Sequence, residues 1–400
     1  MNVLISGAGI AGATLAFWLR RYGFTPTLLE QAPRPRTSGY VVDFWGTGFD
    51  IAGKMGLLPT LKAQAYNADQ VKFVDENGER IGGFPVDILE KLTNGRYLTI
   101  ARSDLALSIY DAIGRDTETI FGEQICDLRF GGDDVEATFF KMEPRRFDIV
   151  VGADGLHSDV RQLAFGPESQ YERYLGYKVA AFEVGGYRER DERTYVSYNR
   201  PGIHVARFAT RGDRTLFLLI FADKDPSIPV AHDVAARRRE LHARFDGKGW
   251  ECDEIMSAMD RCDSVYFDRI SQIRMPSWFK DRCVLVGDAA AAPSLLAGQG
   301  AALAVVEAYV LAGELSRTPA NASAAFARYE ATLRNFVDTK QVGAERFAGS
   351  FAPKTELGLL VRNWMSRFLN VPIVAEWMIG AQTRDDIVLP DYSLASLRAA

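Results

Sequence analysis

Residues 3–12 read VLISGAGIAG, and this stretch gives the strongest indication of the fold. The first four residues are apolar or small, as in a buried parallel strand. Glycines follow at Gly7, Gly9 and Gly12, and a helical pattern then continues to about Tyr22. The order of strand, glycine turn and helix is the context in which a G-x-G-x-x-G pattern binds a dinucleotide.

A second strand over residues 25–30 completes a βαβ unit and ends at Glu30. In this spacing the first glycine makes the turn, the second lets a pyrophosphate approach the backbone, and the third lets helix and strand pack. The helix N-terminus supplies free N–H groups for the phosphate, and Glu30 can accept hydrogen bonds from ribose hydroxyls. The stretch therefore predicts a dinucleotide site. A glycine turn that serves packing alone is the alternative.

The composition excludes several classes of protein. Hydrophobic residues make up 47% of the chain and charged residues 25%, which is typical of a globular protein. A formal charge of -5 argues against nucleic acid or an anionic membrane surface as the main partner. Four cysteines without a C-x-x-C pair and four scattered histidines predict no disulfide framework and no metal site, and favour the reducing cytoplasm.

Two uncharged stretches, residues 3–19 and 289–306, could be mistaken for export or membrane segments. Positive charge follows the first stretch instead of preceding it, unlike a secretory signal. Proline and glycines interrupt the second. We therefore expect both to be buried elements of the fold.

The rest of the chain alternates between parallel and antiparallel patterns. Residues 71–85 and 174–222 read as short strands separated by turns, which indicates an antiparallel sheet. Residues 147–152 and 284–287 read as buried strands, and the chain beyond Gly300 is mainly helical. The predicted fold class is α/β, with a Rossmann-type domain interrupted by a mainly antiparallel sheet domain and followed by a C-terminal helical segment.

Two further blocks match a known pattern. Residues 148–161 read DIVVGADGLHSDVR, and residues 282–293 read RCVLVGDAAAAP, followed by a glycine turn at 298–300. With the first glycine turn, these blocks resemble the three fingerprints of single-component FAD-dependent aromatic hydroxylases. That family includes p-hydroxybenzoate hydroxylase, the polyketide hydroxylases and the tetracycline-inactivating monooxygenases. The resemblance runs in order from residue 3 to about residue 315.

The resemblance implies FAD as the cofactor. Asp288 would bind the ribityl chain, Asp154 would lie near the pyrophosphate and the nicotinamide cofactor, and Arg102 would reach the phosphates or the ribityl chain. The implied cofactor-binding residues are Gly7, Gly9, Gly12, Glu30, Arg34, Arg36, Arg102, Asp154, Gly155, Gly287, Asp288, Gly298 and Gly300. Alternatively, the two aspartates only cap helices or turns, and the arginines are surface charges.

The resemblance also implies an activity. NADH or NADPH would reduce FAD, and O₂ would then give a flavin peroxide that hydroxylates or oxygenates a phenolic or polycyclic aromatic compound. Such a site needs no obligatory catalytic side chain. The sequence departs from the family at Ala291, Ala302 and Glu307, where histidine, asparagine and aspartate are frequent. A flavoprotein reductase of the geranylgeranyl-reductase type and a non-catalytic flavin- or ligand-binding protein are the alternatives.

The substrate is expected between the sheet domain and the flavin. The candidate substrate-binding residues are Tyr198, His204, Arg207, Phe221 and Pro293, with Phe44 and Trp45 from the flavin side. Each is alternatively a packed core residue. The predicted domains are an FAD-binding domain at 1–70, 98–165 and 272–320, a substrate-binding sheet domain at 71–97 and 166–271, and C-terminal helices at 321–400. The substrate, the choice of NADH or NADPH and the oligomeric state stay open.

Overall fold

A computed structural model describes residues 1–35, 40–229, 233–351, 355–366 and 387–393. Its strands are β1 (Asn2–Ser6), β2 (Thr25–Glu30), β3 (Val41–Trp45), β4 (Gln70–Val74), β5 (Arg80–Pro85), β6 (Tyr97–Ala101), β7 (Glu118–Phe121), β8 (Ile125–Phe130), β9 (Val135–Phe139), β10 (Arg145–Phe147), β11 (Ile149–Gly152), β12 (Glu172–Gly185), β13 (Thr194–Arg200), β14 (Ile203–Thr210), β15 (Arg214–Ala222), β16 (Tyr266–Ile273), β17 (Phe279–Lys280) and β18 (Cys283–Leu285). Its helices are α1 (Ile10–Arg21), α2 (Thr47–Lys54), α3 (Leu58–Gln64), α4 (Asp87–Leu92), α5 (Arg102–Ile113), α6 (Asp159–Phe165), α7 (Val234–Phe245), α8 (Cys252–Met259), α9 (Asp288–Ala291), α10 (Gly300–Arg317), α11 (Ala322–Phe351) and α12 (Glu356–Ser366).

The first sheet has six strands in the order β17-β18-β11-β1-β2-β7. β1 lies parallel to both of its neighbours, β11 and β2, and β17 is an antiparallel edge strand. Val3, Leu4 and Ile5 are completely buried, because a central parallel strand is covered on both faces. α1 connects β1 to β2. The predicted βαβ unit is confirmed.

The second sheet has seven strands in the order β16-β12-β15-β14-β13-β4-β5. Every neighbouring pair is antiparallel except β13 and β4, which are parallel. The hairpin of β4 and β5 comes from residues 70–85, whereas the other five strands begin at or after Glu172. The predicted mainly antiparallel sheet is confirmed, and the chain enters it twice.

The two faces of the second sheet have different neighbours. The outer face packs against α7 and α8, with Phe217 and Phe221 contacting a cluster that includes Phe245 and Ile255. The opposite face, called the inner face below, contacts Leu296 in the loop between α9 and α10. Successive side chains of a strand point to opposite faces, so neighbouring residues on these strands have different roles.

Two smaller sheets complete the described strands. β8, β9 and β10 form an antiparallel sheet in the order β10-β9-β8. β3 and β6 form an antiparallel two-stranded sheet, called the β3–β6 ribbon below. Tyr66 extends the ribbon through an antiparallel bridge to Thr99.

The apolar stretch at residues 289–306 forms most of α9, a loop and the first part of α10. It is largely buried, as expected, and α10 also buries the carboxyl groups of Glu307 and Glu314. Among the described residues, every helix lacks the combination of length and apolarity that crossing a membrane requires.

α11 and α12 follow α10, in agreement with the predicted C-terminal helical segment. α12 is described as far as Ser366, and most of the remaining part of the segment predicted at 321–400 lies outside the described residues. Residues 387–393 have neither helix nor strand.

Tyr392 anchors the segment 387–393 to α10. Its ring is 1% exposed, and its hydroxyl donates to Glu314 Oε1 at 2.7 Å. Tyr22 at the end of α1 donates to the Tyr392 carbonyl at 2.8 Å. A Cβ added to Gly313 would lie 2.3 Å from the Tyr392 ring, so the glycine makes room for the aromatic side chain.

Replacing Gly313 by alanine should destabilise the fold, because the added Cβ would overlap the Tyr392 ring. Overpacking of this kind costs about 1–3 kcal/mol, more than the gain of about 1 kcal/mol that alanine brings to a helix. Urea unfolding measures the change. Gly343→Ala in α11 is the matched control, because no atom lies within 4 Å of its added Cβ, and it should be stabilised. Equal shifts in the two variants would contradict the packing of Tyr392 on α10.

Candidate functional site

The first glycine turn is held by direct backbone contact. Gly7 has φ +104° and donates its N–H to the Leu29 carbonyl at 2.7 Å. A Cβ at Gly7 would lie 2.5 Å from the Ala153 carbonyl oxygen, and one at Gly12 would lie 1.9 Å from the Gly7 carbonyl oxygen. The turn, α1 and the end of β11 therefore meet without an intervening side chain.

Gly9 has a different environment from the other two glycines. A Cβ there would have no neighbour within 4 Å, so the backbone of Gly9 borders open space. Gly9 is the residue before α1, and no side chain caps the first turn of this helix. The exposed N–H groups and the positive end of the helix dipole leave a place that suits a phosphate group.

Glu30 lies at the edge of the same turn. Its carboxylate accepts hydrogen bonds from the Ala8 N–H and the Ala32 N–H, both at 3.0 Å. These bonds hold the carboxylate beside the glycine turn at the end of β2, the position predicted for ribose binding. Arg34 is exposed. Arg36 lies outside the described residues.

A second group of predicted residues lies around α9 and the start of α10. Gly287, with φ +64°, turns the chain into α9, and a Cβ there would lie 3.0 Å from the Ala11 side chain. Asp288 Oδ1 lies 3.6 Å from the position of a Cβ on Gly300, the first residue of α10. Gly298 has a left-handed conformation with φ +64°, which favours glycine.

The Asp288 carboxylate has no side-chain or backbone hydrogen bond among the described residues. Burial raises its pKa, and the charge of Arg102 acts in the opposite direction. Arg102 begins α5, where its backbone N–H donates to the Tyr40 carbonyl at 3.0 Å. A carboxylate without a hydrogen-bond partner in a half-buried position is ready to accept a hydrogen bond from a ligand.

Asp154 is engaged by the protein itself. Its carboxylate accepts hydrogen bonds from the Ser158 hydroxyl and from the Val160 N–H at 3.1 Å, which ties it to the start of α6. Burial raises its pKa. This geometry is the capping role given above as the alternative for Asp154. Gly155, with φ +87°, has no neighbour within 4 Å of an added Cβ.

The structure separates the predicted substrate residues. Tyr198, Arg207 and Phe221 lie on the outer face of the second sheet, where α7, α8 and the segment between them cover them. Tyr198 donates to the Lys248 carbonyl at 2.6 Å, Arg207 pairs with Glu251 at 2.9 Å, and Phe221 contacts Phe245. These contacts are the packed-core alternative. Their side chains point away from the inner face, because each lies an odd number of residues from the inner-face positions of its strand.

His204 lies on the inner face instead. Its Nδ1 is 2.9 Å from Asn199 Oδ1, and its Nε2 is 3.3 Å from the Tyr195 hydroxyl. Pro293 is buried in the loop after α9, and its carbonyl accepts a hydrogen bond from Gln272 at 3.0 Å. Phe44 is completely buried.

Several residues of the site were not singled out as site residues from the sequence. Ser294 follows Pro293 with φ +93°, an unusual conformation for a residue other than glycine. Asp43 lies on the β3–β6 ribbon and accepts hydrogen bonds from Tyr97 and Thr99, both at 2.7 Å. One feature of the sequence could have identified Asp43 as a site residue: it is the single charge inside the apolar strand VVDFW of residues 41–45. The partners of this charge come from a different strand and could not be predicted locally.

Glu307 is a buried carboxyl group that contacts the turn just before Asp288. It accepts hydrogen bonds from the Gly287 N–H at 2.5 Å and from the Tyr329 hydroxyl at 3.3 Å. Burial, with a smaller contribution from the charge of Asp288, raises its pKa to about 8. Glu307 therefore supports the turn that carries Asp288 and is largely protonated at neutral pH.

Comparison with known proteins identifies the family. A family model described as FAD binding domain matches residues 1–338. An uncharacterized protein of Mycobacterium tuberculosis is 35% identical over 351 residues, covering 85% of this chain and 91% of that protein. A flavin-dependent monooxygenase from an unknown prokaryotic organism is 34% identical over 350 residues, covering 85% of this chain and 87% of that protein. The chain belongs to the FAD-dependent aromatic hydroxylase family.

A solved structure supports the same assignment for the hydroxylase. The crystal structure of tetracycline destructase Tet(55) matches with a TM-score of 0.83 at 30% sequence identity, covering 98% of each chain. The recognised resemblance is confirmed, and the hydroxylase is an FAD-dependent monooxygenase. Its residues fit FAD, because the open backbone at Gly9 suits a pyrophosphate and the Asp288 carboxylate accepts no hydrogen bond from the residues that the structure describes.

Gly9→Val should weaken FAD binding while leaving the fold intact. The new side chain would enter the open space before α1, where the pyrophosphate is expected, and no protein atom lies within 4 Å of its Cβ. We expect at least about a tenfold rise in the FAD dissociation constant, which corresponds to only about 1.4 kcal/mol. Titration of the apoprotein with FAD measures it. Gly132→Val, whose added Cβ also faces open space, is the control and should bind FAD normally. Unchanged FAD affinity in Gly9→Val would refute this site.

Glu307→Gln should weaken the pH dependence of stability. The folded hydroxylase keeps a proton on Glu307 up to about pH 8, whereas the unfolded chain releases it near its ordinary pKa of 4.5. The free energy of unfolding should therefore fall as pH rises between these values and level off above them. Between these two pH values, the free energy of unfolding of the wild type should fall by at least about 2 kcal/mol more than that of the variant.

Urea unfolding at several pH values tests the Glu307 prediction. The exposed Glu90 offers a control, because Glu90→Gln should leave the pH profile unchanged. Parallel profiles for the wild type and Glu307→Gln would show that Glu307 is ionised in the folded protein.

Proposed function

We propose that the hydroxylase uses NADH or NADPH and O₂ to hydroxylate or oxygenate a phenolic or polycyclic aromatic small molecule. The observation that carries the proposal is the arrangement of the cofactor residues beside the inner face. Leu296, in the loop that leads from Asp288 to α10, packs against Val179 and Ile220 of that face. The similarity to a protein named tetracycline destructase supports a polycyclic substrate.

The residues of the chain would bind FAD, bind the substrate and exclude water. The N-terminus of α1 and Glu30 would bind the adenine-dinucleotide part of FAD, and Asp288 would accept hydrogen bonds from its ribityl chain. The apolar residues of the inner face, such as Val179 and Ile220, would bind the aromatic rings and exclude water. FAD, when bound, supplies the hydride acceptance and oxygen activation that no side chain provides.

The proposal includes the predicted boundaries of the domains. The seven-stranded sheet draws all its strands from residues 70–85 and 172–273, which supports a substrate-binding unit at 71–97 and 166–271. The six-stranded sheet supports an FAD-binding unit formed from the stretches before, between and after these segments.

We also propose that the hydroxylase acts in the cytoplasm. Its four cysteines are free, and Cys252, Cys262 and Cys283 are buried. Unpaired thiols are typical of a reducing compartment.

The purified hydroxylase should be yellow, and an aromatic substrate should stimulate both NAD(P)H oxidation and O₂ uptake. Naphthols and tetracycline are suitable first probes, and product formation must be measured to separate hydroxylation from release of peroxide. Turnover of substrate without O₂, in an anaerobic assay, would instead identify a reductase. Tight ligand binding without stimulated NAD(P)H oxidation would identify a non-catalytic binding protein.

A further inference from the structure

One face of the β3–β6 ribbon carries a compact polar cluster. The antiparallel register pairs Asp43 with Thr99 and Trp45 with Tyr97. Directly paired residues, and residues two apart on one strand, point to the same side. These four side chains therefore share one face of the ribbon.

The two oxygens of the Asp43 carboxylate are used differently. Oδ1 accepts hydrogen bonds from both the Tyr97 hydroxyl and the Thr99 hydroxyl, at 2.7 Å each. Among the described residues, no group donates to Oδ2. A carboxylate oxygen has two lone pairs, and leaving them without a donor in a half-buried position costs free energy. The protein thus fixes the orientation of Asp43 and leaves one oxygen for another molecule.

The ribbon face lies between the cofactor residues and the second sheet. On the cofactor side, the Trp45 ring is 3.7 Å from the position of a Cβ on Gly298. On the sheet side, the charge of Asp43 contributes to the raised pKa of Tyr195. Tyr66 joins the two parts, because its N–H donates to the Thr99 carbonyl at 2.7 Å and its ring packs against Phe208, 5.5 Å between centroids.

A cavity of about 320 Å³ lies at the Val41 and Ala101 end of the same ribbon face, beside the polar cluster, whose residues do not line it. Val41 and Ala101, which pair with each other and lie two residues from Asp43 and Thr99, line it on one side. Thr210 and Leu216 of the inner face line it on the other side. The space between the ribbon and the sheet can therefore hold a small molecule.

The charges around the cavity do not favour a substrate carboxylate. Its two arginines are already paired, Arg211 with Asp104 at 3.2 Å and Arg214 with Glu183 at 2.7 Å. Asp43 adds a negative charge. An anionic group placed against Asp43 would be repelled, whereas a hydroxyl group could donate to Oδ2.

We infer that Asp43, oriented by Tyr97 and Thr99, binds a phenolic or enolic hydroxyl of the substrate, with Tyr195 and His204 on the facing strands. The inference rests on the proposed function and narrows its substrate class to neutral hydroxylated aromatics, excluding benzoate-type acids. Asp43 is a substrate-binding residue, and Tyr97 and Thr99 are positioning residues.

Three probes that differ in one group test this inference on the FAD-loaded enzyme: 2-naphthol, 2-methoxynaphthalene and 2-naphthoate. Changes in the flavin absorbance spectrum report binding without any need for turnover. Because hydrogen bonds to charged groups are strong, 2-naphthol should bind at least about tenfold more tightly than its methyl ether, and 2-naphthoate most weakly. A wild-type enzyme without a preference for 2-naphthol overturns the inference.

Asp43→Asn removes the charge and keeps the shape of the side chain. The preference for 2-naphthol over the methyl ether should fall to within about threefold, and 2-naphthoate should bind more tightly. Asp50→Asn is the matched control. Asp50 lies on α2, is exposed, and pairs with Arg96 outside the cluster. A full preference retained in Asp43→Asn overturns the inference.

Tyr97→Phe provides a second test that keeps the Asp43 carboxylate. The Tyr97 hydrogen bond lowers the pKa of Asp43, which burial raises. Binding of 2-naphthol should be lost as pH falls through this pKa, and the midpoint should move to higher pH in the variant. The titratable and charged groups placed around this site are Tyr97, Tyr195 and His204, with Tyr66, Asp104, Glu183, Arg211 and Arg214 around the adjoining cavity. An unmoved midpoint overturns the role of Tyr97 as a positioning residue.

The experiments distinguish failure of the Asp43 subsite from failure of the proposed function. Loss of the naphthol preference in Asp43→Asn, without any stimulated O₂ uptake in the wild type, would support the subsite and refute hydroxylation. Stimulated O₂ uptake with equal binding of all three probes would support hydroxylation and refute the subsite.

Discussion

Direct backbone contact at the first glycine turn sets the positions of β1, α1 and β11. With no side chains at Gly7 and Gly12, β1, α1 and the end of β11 meet at van der Waals distance. That contact sets the direction of α1, so its N-terminus opens beside Gly9 at the same edge of the sheet as Glu30. A methyl group at either position would separate these elements and displace the phosphate site.

Charge links the six-stranded sheet to the seven-stranded sheet. His157, shortly after Asp154, lies 3.0 Å from Glu168 and 3.1 Å from Asp268 of β16. These two carboxylates raise the pKa of His157 to about 10, so it is positively charged at neutral pH. Arg161, completely buried, pairs with Glu168 at 2.7 Å. A paired network of this kind favours one relative orientation of the two sheets, because separating His157 from Asp268 would remove a charge partner from the buried Asp268 carboxylate.

The two faces of the second sheet have different roles in the proposed function. The outer face is an apolar layer under α7 and α8, with Arg207 neutralised by Glu251 and Asp191. The inner face keeps polar groups, including His204, opposite the β3–β6 ribbon. A substrate bound there would be in contact with both the ribbon and the loop that carries Leu296, so its position depends on the packing of separate chain segments.

Local sequence patterns predicted part of the molecule. Glycine spacing and strand patterns predicted the βαβ unit and the antiparallel sheet, because these patterns reflect backbone geometry over a few residues, and the resemblance of the three blocks to a known family implied FAD. Which side chains meet depends on the packing of the whole chain. Tyr198 and Phe221 point outward, Asp154 is hydrogen-bonded to the start of α6, and Asp43 meets Tyr97 across 54 residues. The reason is that a strand's side chains alternate between its faces, while the face that becomes covered depends on elements far away in the chain.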